Sequence, residues 1–252
     1  MTYVAAVVPA YAPDAELVDL VADLVPQVDR VVVVDDGSPG LASADRWDAC
    51  RAAGASVVAH ETNRGIAAAL NTGVREALSH GSVHAVLTVD QDSRVPPGFV
   101  AALVERWTAA ADTGLRVGLV APEQVTGLPA QRDGRPPIQS GQLVPVNTLT
   151  RVGDFDESLF IDGVDDDFAL RCLDAGLAIL VVPGLALGHR LGAGQRLRVA
   201  GRGVTLTRSA PFRSYYLARN RAVLVRRYAR RHPGWAGSQV LGLGRHLAVM
   251  LL

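Results

Sequence analysis

Two carboxylates, Asp90 and Asp92, stand two positions apart at the end of an apolar run, Val86-Leu87-Thr88-Val89, and Ser93 follows them. A short run rich in β-branched residues reads as a buried strand. Buried parallel strands deliver functional groups at their carboxyl ends, where ligands sit. Two carboxylates held there repel each other and lose hydration, so a cation would stabilise them. A hard divalent ion with oxygen ligands meets that need, and Mg²⁺ commonly shares such a site with substrate phosphates. A polar cap on a strand end is the competing reading. A second acidic step, Asp35-Asp36-Gly37-Ser38, closes another apolar run. A carboxylate at that point can accept hydrogen bonds from a pyrimidine N3–H or from ribose hydroxyls, and a plain turn is the alternative. A third cluster, Asp165-Asp166-Asp167, opens a helical stretch. Acids there suit the helix dipole, with Asp165 a candidate cap. A positioned carboxylate is also the group that takes a proton from an attacking hydroxyl.

The elements that must hold these residues alternate. Strands are expected at 3–9, 30–34, 55–59 and through Val86–Val89, with helices over 14–25, 42–53, from Gly65 to Leu78 or Ser79, and 98–111. Strands and helices in alternation with short links predict a mostly parallel α/β sheet with helices on both faces. The strand-end acids then share one rim. The second half is less regular: a strand at 116–121, a Pro-, Gly- and Gln-rich loop at 122–137, and a strand in mixed pairing at 140–147. The acidic helix runs through Asp174 and is stopped by Gly176. Strands are expected at 178–182 and 185–189, then a Gly/Arg-rich mobile loop at 192–209. A basic helix at 212–231 and a weakly amphipathic end complete the chain. The expected division is a nucleotide-binding domain over 1–210 and a basic helical extension over 211–252.

Charge is divided along the chain. All 25 basic residues of the 252 are Arg; every Asp and Glu lies at or before Asp174, and 13 Arg lie after it. Such a tail either meets an anionic partner or packs on the acidic body. Arg226-Arg227 and Arg230-Arg231 next to an apolar end suit contact with an anionic membrane surface. Nothing in the tail has the pattern of a helix-turn-helix or zinc module, so nucleic acid is not an expected partner. Cys50 and Cys172 lack metal-type spacing and are expected as inert buried thiols of a reduced compartment. No leader pattern and no spanning apolar run are seen. The expected location is therefore cytoplasmic, with peripheral contact at the inner face of the cell membrane. A sugar nucleotidyltransferase would carry a Gly-rich phosphate loop near the N-terminus, where Val8-Pro9-Ala10-Tyr11 stands.

Five segments in order carry a resemblance: Pro9-Ala10-Tyr11 after a strand, Val34-Asp35-Asp36-Gly37-Ser38, Asn63-Arg64-Gly65-Ile66-Ala67, Asp90-Gln91-Asp92-Ser93, and Phe160-Ile161-Asp162-Gly163-Val164-Asp165 with Leu170-Arg171. The chain resembles the inverting glycosyltransferases of family 2. The last two segments, with His189-x-Leu191-Gly192 and Tyr215-Tyr216-x-x-Arg219-Asn220, resemble its bacterial rhamnosyltransferase branch. The likeness covers about 3–225, and relatives tend to continue beyond the apolar segment that ends at Leu251-Leu252.

The resemblance implies a GT-A fold, a nucleoside-diphosphate sugar donor and Mg²⁺ or Mn²⁺. The expected reaction transfers L-rhamnose from dTDP-rhamnose to a saccharide or lipid-linked acceptor in cell-envelope polysaccharide synthesis. A UDP-sugar hexosyl- or galactofuranosyltransferase is the alternative, as is a catalytically silent nucleotide-binding module. It implies Pro9, Tyr11, Asp35 and Asp36 around the base and ribose, with Asp36 facing the base. Arg64 would reach base or phosphates, and Gly65 would permit close backbone approach. Asp90 and Asp92 would hold the metal, with His189 as a further ligand or simply a polar residue. Asp165 would be the general base, selected by aligning Leu170-Arg171; capping alone is the other reading of the acidic triplet. Arg213, Tyr216 and Arg219 would meet a diphosphate or acceptor, or form a solvated basic face. Ala67, Ala68 and Asn71 read as packing and capping positions of their helix.

Overall fold

The computed structural model describes residues 2–40, 44–79, 81–189, 195–199, 202–206 and 211–250. They fall into two compact units, Met1–Phe160 with Val164–Arg190, and Ile161–Gly163 with Leu191–Leu252.

The first unit alternates as expected: β1 (Val4–Ala10), α1 (Glu16–Leu24), β2 (Arg30–Asp35), α2 (Ala44–Ala52), β3 (Ala55–Ala59), α3 (Ile66–Leu78) and β4 (Ala85–Thr88). All seven residues of β1 are buried, the mark of a central strand covered on both faces. On α1, Leu17, Leu20, Val21 and Leu24 are buried, a stripe at helical spacing laid on the sheet. On α3 the apolar face is built largely of alanine, and Ala67, Ala68 and Ala69 are buried. Small side chains let this helix approach β1 and β2 closely.

After β4 come β5 (Ser93–Arg94), α4 (Phe99–Asp112), β6 (Val117–Val125), β7 (Gln142–Pro145), α5 (Val146–Val152), a 3-10 turn at Glu157–Leu159, α6 (Val164–Asp174) and β8 (Ala178–His189). The sheet order is β3-β2-β1-β4-β7-β6-β8-β5. Strands β1 to β4 pair in parallel, β7 runs antiparallel to β4 and β6, and β8 is parallel to β6.

Four expectations change. The strand at 116–121 continues to Val125 because Pro122 and Gln124 stay in register with Val182 and Ala186 across an irregularity. For the same reason the two expected strands at 178–182 and 185–189 are one, which carries Gly184 at φ 73° without breaking. The expected strand 140–147 holds only over Gln142–Pro145, and α5 starts at once after Pro145. Within the expected loop 192–209, β9 (Gln195–Val199) and β10 (Arg202–Leu206) form an antiparallel pair. Arg196-Leu197-Arg198-Val199 does alternate polar and apolar, a two-residue period that the dense arginines disguise.

The second unit also holds α7 (Pro211–Tyr228) and α8 (Pro233–Met250). Tyr228 is buried and meets Trp235 edge-on at 6.2 Å between ring centroids. Val240 and Leu241 of α8 are exposed. Among the described residues no helix is long and apolar enough to cross a membrane.

Candidate functional site

The chain winds outward from β1 to β2 and β3, then returns to the other side of β1 as β4. Such a reversal opens a crevice beyond the carboxyl ends of the two diverging strands. Pairing of β1 with β4 ends at Val7 and Thr88, while pairing with β2 continues to Ala10 and Asp35. Pro9 therefore lies where its β4 neighbour has already left, which is how a residue lacking an N–H is tolerated in a central strand. Exposed Tyr11 continues one lip of the crevice, and half-buried Asp90 and Asp92 continue the other. Asp35 and Asp36 end the adjacent strand, both buried.

These loops are fastened to each other. The Gln91 side chain pairs with the Tyr11 backbone, accepting from its N–H at 2.8 Å and donating to its carbonyl at 3.3 Å. Ser38 Oγ accepts from Ala12 N–H at 2.8 Å, and Asp35 Oδ1 accepts from Ser38 N–H at 2.9 Å. Behind the other lip, fully buried Ser140 accepts from Asp90 N–H at 2.9 Å and shares a 2.8 Å hydrogen bond with Ser93 Oγ.

Asp36, expected to face a base, is turned inward. Its Oδ1 accepts from Arg64 N–H at 2.9 Å and lies 2.8 Å from His60 Nδ1, and its Oδ2 accepts from Gly65 N–H at 2.8 Å. His60 Nε2 in turn lies 3.0 Å from Thr72 Oγ1 on α3. The carboxylate thus organises the loop that starts α3. Gly65 serves another approach than the expected one: at φ 91° a Cβ there would stand 2.5 Å from the Phe160 carbonyl oxygen. Phe160 O accepts from Ile66 N–H at 2.8 Å, so the glycine admits the chain that leads into α6. The Arg64 guanidinium pairs with Glu157 at 3.2 Å on the surface. Asn71 is not a cap. Buried on α3, it brackets Phe155 by donating to its carbonyl and accepting from its N–H, both at 2.9 Å.

The acidic triplet splits into three environments. Helix α6 begins at Val164, so Asp165 is its second residue rather than its cap, and it accepts from Asp166 N–H at 2.9 Å. Asp167 is fully buried and pairs with Arg171 Nε at 2.8 Å, one helical turn on. Arg171 also donates to the carbonyls of Val152 and Asp154 at 2.7 and 2.8 Å. That ion pair ties α6 to the end of α5. A short turn joins α6 to β8, and β8 runs parallel to β6. The first turn of α6, with Asp165, therefore lies toward the same end of the sheet as the carboxyl ends of β1 and β4.

Other expected residues stand apart. The His189 backbone ends β8, pairing with Ser93; its side chain lies outside the described residues. Within the second unit, Arg213 Nε and Nη2 donate to Asp162 at 3.1–3.2 Å, and buried Asn220 donates to the carbonyls of Ile161 and Asp162 at 2.7 and 2.8 Å. Arg219 donates to Asn220 Oδ1 at 2.9 Å and lies over the Tyr216 ring at 5.9 Å. Exposed Arg213 holds Asp162 directly, and Arg219 supports Asn220, which holds the 161–162 carbonyls. Phe160 and Asp162 carry positive φ, 63° and 61°, which costs on the order of 1–3 kcal/mol for each such residue. The bonds from Arg213 and Asn220 hold Asp162 in that conformation.

The donor set at the crevice fits a hard divalent cation. Asp90 has other interactions, yet its Oδ1 is buried and takes no hydrogen bond; Asp92 adds a second carboxylate two residues on. Among the described residues no group of three His, Cys, Asp or Glu could hold an ion alone. One or two carboxylates completed by substrate phosphates is the usual arrangement for Mg²⁺.

Residues 5–159 match the family described as glycosyl transferase family 2. The chain belongs to glycosyltransferase family 2. A dTDP-rhamnosyl transferase, RfbF of Shigella flexneri, is 29% identical to it over 188 residues, 66% of this chain and 61% of the relative. This family 2 chain therefore spans less than two thirds of that relative's length. Among solved structures, GalNAc-T7 with UDP, GalNAc and Mn²⁺ superposes with a TM-score of 0.62 at 16% identity, over 89% of this chain and 48% of the other. Glucosyl-3-phosphoglycerate synthase from Mycobacterium tuberculosis, with Mg²⁺ and UDP, gives 0.54 at 22% identity, over 76% and 73%. These likenesses establish the GT-A fold expected for family 2.

Several residues that shape the family 2 crevice were given no role in the reading of the sequence: Gln91, Ser140, Ser38, His60 and Glu157. Gln91 and Ser38 had a signal, as members of the Asp90–Ser93 and Val34–Ser38 segments. The others act across separations of 24 to 86 residues, which no local pattern reports.

Proposed function

We propose that this chain is a metal-dependent inverting glycosyltransferase that moves L-rhamnose from dTDP-L-rhamnose to a saccharide or lipid-linked acceptor in cell-envelope polysaccharide synthesis. The observation that carries the reading is the crevice between the ends of β1 and β4, with Asp90 and Asp92 on one lip and the acidic first turn of α6 toward the same end of the sheet. The rhamnosyl transferase relative supports the choice of donor.

In this proposal Tyr11 and Pro9 flank the base, and Asp35 accepts from the ribose. Asp36 acts indirectly, holding the Arg64-Gly65 backbone. Arg64 exchanges Glu157 for the donor phosphates. Asp90 and Asp92 would hold Mg²⁺ or Mn²⁺, which would neutralise the charge growing on the departing nucleoside diphosphate. Asp165 accepts the proton of the acceptor hydroxyl as that oxygen attacks the anomeric carbon from the face opposite the diphosphate. A single displacement inverts the anomeric centre and requires no glycosyl-enzyme. His189 remains a candidate further ligand. Residues 1–210 would form the donor-binding domain and 211–252 an extension that docks on anionic membrane through Arg226, Arg227, Arg230 and Arg231, with exposed Val240 and Leu241 of α8 as its apolar part.

A UDP-hexose donor is the second reading, favoured by the UDP in the two solved GT-A neighbours. Hydrolysis or transfer from dTDP-rhamnose, UDP-glucose, UDP-galactose and UDP-galactofuranose, each with and without Mn²⁺, tests both. Turnover with dTDP-rhamnose that disappears on chelation is the expected result. Turnover confined to a UDP-sugar selects the second reading, and binding of nucleotide without turnover of any donor rejects the enzyme.

A further inference from the structure

We infer that Gln91 is a positioning residue that couples nucleotide binding to cation binding, by fixing the Tyr11 backbone against the loop that carries Asp90 and Asp92. The inference rests on the reading above. Its starting point is geometry: β1 and β4 diverge at the site of strand reversal, so the separation of the two lips is not set by ladder hydrogen bonds beyond Val89 N–H to Val7 O at 3.1 Å. Gln91 takes over there. Its carboxamide engages both backbone groups of Tyr11, N–H and carbonyl together.

The choice of residue type is informative. Bonding the N–H and the carbonyl of one residue together suits a carboxamide, which carries an acceptor and a donor on two neighbouring atoms of one rigid group. A carboxylate could accept from Tyr11 N–H but would repel its carbonyl, and Lys or Arg could only donate. Asparagine is one methylene shorter.

The bridge is anchored on both sides. On the Gln91 side, Asp90 N–H is held by Ser140 Oγ, and Ser93 Oγ is held by the same buried hydroxyl. On the Tyr11 side, Ala12 N–H is held by Ser38 Oγ, and Ser38 N–H by Asp35 Oδ1. The path from the carboxylates to the base-side loop therefore runs through hydrogen bonds of 2.8–3.3 Å, with Gln91 at its centre. A ligand ordering one lip orders the other through this link. The two binding events are then coupled, and by linkage equally in both directions.

The experiment is the affinity of dTDP and of UDP for the full chain, with and without Mn²⁺, by calorimetry, for wild type, Gln91→Met and Gln91→Asn. Methionine keeps the length and removes both hydrogen bonds, and thermal unfolding checks that each variant is folded. The metal should strengthen nucleotide binding in the wild type, and the factor should fall by about 5-fold or more in Gln91→Met, with Gln91→Asn moving the same way. Donor KM should rise more than kcat falls. An unchanged factor in either folded variant overturns the inference and leaves the transferase reading intact. A wild type that binds neither nucleotide, or binds with no response to metal, overturns both.

Discussion

The two lips of the crevice and the first turn of α6 both carry carboxylates, yet they are built differently. The lips are loops at the ends of parallel strands, and backbone groups are held there by side chains from distant segments: Gln91 on Tyr11, Ser38 on Ala12, Ser140 on Asp90. The turn of α6 is a helix start in which position sorts three adjacent acids, one into the interior with Arg171 and two left half-buried. A strand end fixes where a carboxylate goes. A helix start distributes neighbouring carboxylates 100° apart, so Asp165 and Asp167, two residues apart, point in different directions and only Asp167 enters the buried ion pair.

The sharpest way to break this contrast is to neutralise the triplet one residue at a time. Asp165→Asn should lower kcat by about 10²–10⁴-fold while dTDP affinity is kept, as expected for loss of a general base. Asp166→Asn should leave kcat within a few-fold. Equal losses at both positions would mean that the register of the base is wrong. On the lips, Asp92→Asn should cost about 10²–10³-fold in kcat, the scale of one electrostatic partner of a developing anion. Nucleotide affinity in Mn²⁺ should fall as well, so the two classes of variant differ in binding. Steady-state kinetics beside calorimetry checks all three.

Asp167 belongs to stability rather than chemistry. Removing one partner of a buried ion pair costs about 3–5 kcal/mol, because the other charge stays buried. Arg171 keeps its bonds to the Val152 and Asp154 carbonyls, which would place Asp167→Ala at the lower end. At about 2–4 °C per kcal/mol for a chain of this size, Tm should drop by roughly 10 °C. A drop under 3 °C would mean that the pair contributes little. Gly65→Ala should be next in size: a methyl group would meet the Phe160 carbonyl, at a backbone angle that costs an L-residue about 1–3 kcal/mol. Its loss of donor affinity should exceed that of Gly163→Ala, tested in parallel, if the 63–65 loop lines the crevice.

The strand-end acids were legible because a β-branched run followed by two carboxylates is a local signal, and because burial of β1, β2 and β4 on both faces leaves their sequences nearly free of polar residues. What each carboxylate touches was not. Asp36 and Asp35 are adjacent and both buried, and only the return of the chain at His60 and Arg64 decides that Asp36 faces inward. The pairing of Asp167 with Arg171 was written in the sequence as an i, i+4 spacing, but the resemblance of Leu170-Arg171 to a family motif drew attention to Asp165 instead. In β9 and β10 the alternation was present beneath the arginines, whereas β8 passes through Gly184, where a local reading stops.

The smallest effect concerns the two thiols, which lie on the helices that flank these regions. Burial raises both, Cys50 against the opposing pull of Arg46 and Arg51, and Cys172 up to about 12 against that of Arg171. Each thiol is thus harder to ionise folded than unfolded. Its contribution to stability is complete below the unfolded-state value near 9 and is lost as pH rises toward the folded one. At neutral pH nothing should change with pH on this account. Above about pH 9 the folded state should weaken, and Cys172→Ala should flatten that alkaline slope while lowering Tm at pH 7, by the loss of a buried side chain. In parallel, iodoacetamide at pH 8.5 should label Cys172 only as fast as the chain opens, since the thiolate is the reactive form. Labelling of the native protein at the rate of an exposed cysteine would show that α6 is not packed as tightly as the Asp167–Arg171 pair requires.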